Sequence, residues 1–220
     1  MTSERPEAPS PKPRLRGVSH QIAFFVFLPL GVALTIFGGD GVTRLAAAVF
    51  AVSVAAMFGA SALYHRSVCS PAAQRRLRRL DHVAIFGLIA GTYTPFGLLV
   101  LSGAWRITVL SIVWGGALAA MVLKLAWLDG PNWLTALLGV ALGWVGVAAF
   151  PAMLDELGVS AALLLVAGGI AYTAGAIVYA LRKPDPLPGI FGFHEVFHAL
   201  VIVAVALQYA VVALYILPSA

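Results

Sequence analysis

The chain is short of charge. Only 10% of its 220 residues are Asp, Glu, Lys or Arg, against 61% that are hydrophobic. Soluble globular chains carry roughly a quarter charged residues, so the charge here is too sparse to cover a water-facing surface, and a soluble domain is excluded. Cysteine is almost absent as well. Cys69 stands alone, which excludes an intramolecular disulfide framework. No polar low-complexity tract or fixed-period repeat dominates, so a disordered or fibrous chain is excluded too. Acidic residues are scarce, nine against fourteen basic ones, and the formal charge is +5. Without a soluble basic face to present, that excess points to membrane topology or anionic lipid rather than nucleic acid.

What the sequence does have is long hydrophobic runs, with a mean hydropathy of +0.95. A membrane crossing needs about 20 mostly apolar residues. Seven such stretches can be read near 18–38, 42–64, 80–101, 106–127, 132–151, 160–181 and 192–216. Turn signals separate them: Gly38-Gly39-Asp40-Gly41, Leu101-Ser102-Gly103, Asp129-Gly130-Pro131-Asn132, Asp155-Glu156-Leu157-Gly158, and Arg182 to Gly189 with its three prolines. The reading is an all-α polytopic membrane protein of seven transmembrane helices, residues 18–217, behind a Pro-rich charged tail, residues 1–17, expected to be disordered. Lys and Arg set the orientation. With the N-terminus in the cytoplasm and the C-terminus external, only Arg44 and Arg106 fall outside, as the positive-inside rule requires.

Ionisable groups within spans are costly, so each one marks a potential site. His65 closes span 2, with Ser61 one turn earlier on the same face. Asp81 begins span 3, and His194 and His198 open span 7. In the orientation set by Lys and Arg, all of them fall at one depth on the cytoplasmic side. His194 and His198 are four apart, which places both imidazoles on one helix face. With His65 they make a three-histidine donor set for zinc that leaves a fourth position open. Solvated helix-end histidines are the blander reading for any one of them. Three at one depth, two at helical spacing, favour the metal. His20 and His82 keep the blander reading, one at the tail's junction with span 1 and the other beside Asp81. The segment His194-Glu195-Val196-Phe197-His198 also matches the H-E-x-x-H signature of zinc proteases, with Leu128-Asp129-Gly130 as a loose counterpart of a third-ligand motif. That reading leaves His65, Ser61 and Asp81 without a role.

At these residues the chain resembles the bacterial hemolysin III family, relatives of the progestin and adipoQ receptors. The motifs are Ser61-Ala-Leu-Tyr-His65, Leu80-Asp81-His82, Ala90-Gly91-Thr92-Tyr93-Thr94-Pro95 and Gly192-Phe193-His194-Glu195-Val196-Phe197-His198. The resemblance implies seven helices, zinc held by His65, His194 and His198, Asp81 holding or activating a water on the metal, and Ser61 supporting the site. It also implies a multi-pass protein of the bacterial cytoplasmic membrane. Eukaryotic relatives and alkaline ceramidases look like lipid amide hydrolases, so the leading expectation is a zinc-dependent lipid amide hydrolase in membrane homeostasis. The alternatives are a non-enzymatic sensor with structural zinc and a pore-forming or hemolytic protein, although no span carries an ionisable ring at mid-depth. Membrane lipids are the expected partners, with a lipid substrate or ligand inside the bundle and no nucleic acid. The sequence leaves a homo-oligomer open.

Small-xxx-small spacing at Gly87–Gly91 and Gly139–Gly143 predicts close helix packing, and Pro95 predicts a kink in span 3. Trp105, Trp127, Trp133 and Tyr215 sit near span ends, where an interfacial belt lies.

Overall fold

The computed structural model describes residues 13–220. Helices supply all of the regular structure there apart from one isolated bridge between Leu187 and Phe191. They are α1 (Val18–Phe37), α2 (Gly41–Arg66), α3 (Pro71–Pro95), α4 (Gly103–Ala126), α5 (Asn132–Gly143), α6 (Phe150–Leu181) and α7 (Phe193–Val211). Large apolar side chains such as Phe25, Val52, Ile107 and Leu163 point out of the bundle. Helices that satisfy their own backbone while presenting an apolar exterior are what a bilayer accepts. The chain is an all-α polytopic membrane protein.

Most helices begin and end near the predicted turns, with two exceptions: the α5–α6 junction falls at 144–149 rather than at 155–158, where α6 is broken at Gly158, and the start of α3 is displaced as well. α3 starts at Pro71 rather than near residue 80. Ser70 caps it, its Oγ accepting from the Ala73 N–H at 3.3 Å, and Pro71 occupies the first turn, where proline's missing N–H costs nothing. The Arg75–Arg79 run is therefore helical, and Asp81 lies ten residues inside the helix, about 15 Å along it. Asp81 does not cap α3. Beyond Pro95 the helix widens into a π-helical turn, Phe96–Val100, the accommodation expected where proline removes a hydrogen-bond donor. A second π-helical turn, Val212–Ile216, and a short 3₁₀ turn finish the chain.

Six helical runs are long and apolar enough to cross a membrane, and the fifth, Asn132–Leu181, is 50 residues long. Held straight it would measure about 75 Å, more than twice the hydrocarbon core. Instead it doubles back. The Trp144 Nε1–H donates to Thr173 Oγ1 at 2.9 Å and the Tyr179 hydroxyl donates to Asn132 Oδ1 at 3.3 Å, so residues 29 and 47 positions apart are neighbours. The midpoints of both pairs fall near Gly158, whose φ of 77° and ψ of 173° break α6. Between α5 and α6 the residues Val145–Ala149 form a 3₁₀ turn. Tyr93 secures it by donating to the Gly143 carbonyl at 2.6 Å and accepting from the Gly146 N–H at 2.8 Å.

α2 packs along α1 and α3, and α7 lies mainly along α6. At Gly91 the approach to α2 is as close as the spacing predicted, since a Cβ there would lie 2.1 Å from Ser53 Oγ. The same expectation fails for Gly139 and Gly143. A Cβ at Gly139 meets only Ile89, at 3.8 Å, and one at Gly143 meets nothing within 4 Å. Both glycines line a cavity of about 210 Å³ inside the bundle, so here the small residues leave space rather than close it. Of the predicted tail, residues 1–12 lie outside the described residues. Residues 13–17 are tied down, with the Arg14 and Leu15 N–H groups donating to the Gly189 and Ile190 carbonyls at 3.0 and 3.1 Å.

Candidate metal centre

Each histidine reaches the centre for a local reason. α2 ends at Arg66, so His65 sits on its last turn. α7 opens at Phe193, which puts His194 and His198 on its first two turns, one above the other. The entry into α7 is fixed by Glu195, whose Oε2 accepts from the Gly192 N–H at 2.8 Å as in a capping box. Its Oε1 is ion-paired with Arg16 Nε.

One nitrogen from each of His65, His194 and His198 falls within a group spanning 4.8 Å, and these three residues could hold a metal ion. The Nε2 atoms of His65 and His194 face each other at 3.1 Å. The ring centroids lie 4.8 Å apart for His65 and His194, 5.2 Å for His65 and His198, and 4.5 Å for His194 and His198. His198 is fully buried, and its Nδ1 has no hydrogen-bond partner among the described residues. A buried, partnerless imidazole nitrogen costs about 1–3 kcal/mol. A cation in the cluster would take the lone pairs that His65 and His194 turn toward each other.

Asp81 arrives from α3, its Oδ2 3.9 Å from His65 Nε2, beyond a direct hydrogen bond but within reach through one water. Ser61 stands against Asp81 and shares a 2.9 Å hydrogen bond with His20 Nδ1. The reading from sequence left His20 as an ordinary helix-end residue, but it is buried in this cluster. Its ring stacks on His198 with centroids 3.7 Å apart and planes 7° apart. The only forewarning in the sequence was a polar residue at the start of an otherwise apolar span. His82 stays outside the histidine triad, with a buried Nδ1 that no described residue meets.

The two carboxylates of the protease-like reading are engaged elsewhere. Asp129 is exposed and paired with Arg78 Nη1 at 2.6 Å, and Glu195 is held by Arg16 and the α7 N-terminus. The cavity opens from the cluster. Its wall includes Asp81, His194 and His198 and follows α3 into the π-helical turn at Phe96 and α7 to Gln208, about 21–23 Å of helix in each case.

Comparison with known proteins adds a family. The model of the family described as Haemolysin-III related matches residues 10–209. The chain is 32% identical to Hemolysin-3 of Bacillus cereus over 92% of its own length and 91% of the relative's. It is 31% identical to the Hemolysin-3 homolog of Bacillus subtilis (strain 168), covering 90% and 91% of the two chains. A plant protein, the heptahelical transmembrane protein ADIPOR2 of Oryza sativa subsp. japonica, is 32% identical over 80% of this chain and 83% of its own. No solved structure matches.

Proposed function

We propose, from the premise that the chain belongs to the Haemolysin-III related family, that it is a zinc-dependent hydrolase cleaving a lipid amide within the bacterial cytoplasmic membrane. One observation carries this reading. Two members of the three-histidine cluster, His194 and His198, and the Asp81 carboxylate line a long cavity whose walls are mostly apolar, among them Ile85, Leu88, Val140, Met153 and Val201. A polar reaction centre at one end of such a cavity suits a molecule with an amide at the junction of headgroup and acyl chain.

The donors suit zinc. Two nitrogens on one tetrahedral zinc lie about 3.3 Å apart, close to the 3.1 Å between His65 and His194, and three imidazoles leave a position open. Zinc, when bound, would supply Lewis acidity and lower the pKa of water toward neutrality. The chain supplies the rest. Asp81 Oδ2 takes the proton of the attacking water and returns it to the departing amine nitrogen, with Ser61 steadying the carboxylate. The apolar wall aligns the acyl chain, and Arg16, Glu195 and His20 cover the cluster against bulk water.

Seven crossings with a cytoplasmic N-terminus go with this function. The doubled-back run from Asn132 to Leu181 accounts for two of them, and the Lys and Arg distribution sets the direction. The site then lies at the cytoplasmic headgroup level, and membrane lipids are the partners.

Lipidomics of a deletion strain carrying wild-type protein or His198→Ala tests the proposal. A lipid amide that accumulates on deletion and is cleared only by wild type supports it, and identical lipid profiles would sink it. One observation favours a structural metal in a non-enzymatic sensor: α2 and α7 touch little outside the site, so an ion there would be their main tie. Identical lipid profiles alongside loss of stability in His198→Ala would select that second reading.

A further inference from the structure

We infer that His20 is a positioning residue of the metal centre, its imidazole lying flat on His198 and fixing the plane in which that residue presents its nitrogen. The inference rests on the reading of His65, His194 and His198 as metal ligands. An imidazole lone pair lies in the plane of its ring, and the terminal torsion of histidine is broad. A ligand histidine is therefore usually held by a hydrogen bond to its other nitrogen. His198 Nδ1 has no such bond among the described residues. What it has is the face of His20, 3.7 Å away and within 7° of parallel.

His20 is itself well held. Its Nδ1 shares the 2.9 Å bond with Ser61 Oγ, and Phe58 meets it edge-on at 5.0 Å. The chain delivers it there through Gly17, whose φ is +79° and where a Cβ would lie 2.4 Å from the His65 Cβ. Only a glycine lets the segment pass over His65 and turn His20 inward. A purely packing role fits less well. His20 is buried, its Nε2 making no close hydrogen bond among the described residues, and a phenylalanine would fill the slot without burying that polar atom.

The test uses the full chain in detergent, loaded with Co²⁺, whose visible absorption reports coordination geometry, and with Zn²⁺ titrated against a chelator. His20→Ala should shift the cobalt bands and weaken zinc binding about tenfold, the size of effect typical of residues that orient a ligand. His20→Phe, which keeps a flat ring, should restore wild-type bands and affinity, while His20→Asn, which keeps only the bond to Ser61, should not. Should the alanine variant fail to fold, the phenylalanine and asparagine variants decide the matter between them. Wild-type bands in His20→Ala, or restoration by asparagine and not by phenylalanine, would overturn the inference and leave the metal reading standing. A wild-type chain that takes up no cobalt would overturn both.

Discussion

In α1 and α3, a Cβ at Gly31 would lie 2.8 Å from the Ala51 Cβ, and one at Gly91 would lie 2.1 Å from Ser53 Oγ. In α5, a Cβ at Gly143 would meet nothing within 4 Å, and one at Gly139 would meet only Ile89, at 3.8 Å. The side of the bundle built from α1, α2 and α3 is close-packed, and with α7 it supplies His20, Ser61, His65, Asp81, His194 and His198. The side built from α4, α5 and α6 supplies no histidine. Close packing fixes donor atoms to a few tenths of an ångström, as metal coordination requires. Looser packing leaves a volume that an acyl chain of variable shape can fill. The donor atoms thus come from the close-packed helices, while the cavity beside them is shared between α3 and α7, which carry donors, and α5 and α6, which carry none.

The sharpest way to test that division is to remove a ligand from the close-packed side. His198→Ala or His65→Ala should weaken zinc binding by more than the roughly 10–100-fold of an outer-shell change, with a fall in detergent melting temperature that a chelator reproduces in the wild type. Metal content by elemental analysis decides it, and full zinc in either variant would dissolve the centre. Next comes Asp81→Asn, which should cut turnover by about 10²–10⁴ while leaving zinc in place. If Glu195→Gln were the one to abolish turnover, the two carboxylates would exchange roles. A pair of glycine substitutions then compares the two sides directly. Gly91→Val should destabilise by about 1–3 kcal/mol through overpacking against Ser53. Gly139→Leu should leave stability within about 0.5 kcal/mol yet block the cavity, seen as lost turnover with intact metal binding. The reverse pattern would erase the contrast. The smallest effect on metal binding and turnover is expected for Glu195→Gln, which loses the Arg16 ion pair but keeps a capping side chain; because Glu195 is buried, its cost by thermal melting should be about 1–3 kcal/mol.

Hydropathy and turn chemistry made most of the bundle legible, because a helix in lipid is defined by its own composition. The turn at Asp155–Gly158 is a case in point: it stands out in the sequence and coincides with the break at Gly158 within Phe150–Leu181. The start of α3 was missed for the converse reason. Four arginines end the apolar run at residue 80 without ending the helix, and the Ser70-Pro71 start signal lies before them. The histidine triad could be read because two members share one helix face and the third shares their depth. His20 could not, since a single histidine at a helix start has no periodicity, and its meaning comes from α1 meeting the distant α7. The opposite uses of glycine in α3 and α5 were equally hidden, because spacing is the same whether the facing surface is near or far.

The residues of the proposed centre also have an order of birth. His65 and Asp81 are made early, and the chain must add well over a hundred residues before His198 appears. At about 5–20 residues per second that wait is on the order of ten seconds. Throughout it, a histidine and a carboxylate sit in nascent helices without the helix that completes their surroundings. In the proposed centre, an ion could be held by all three histidines only once that helix has left the ribosome and entered the bilayer. A chain cut short before Phe193 would keep its apolar helices yet carry one of the three clustered histidines, giving membrane quality control a ready mark of an unfinished product.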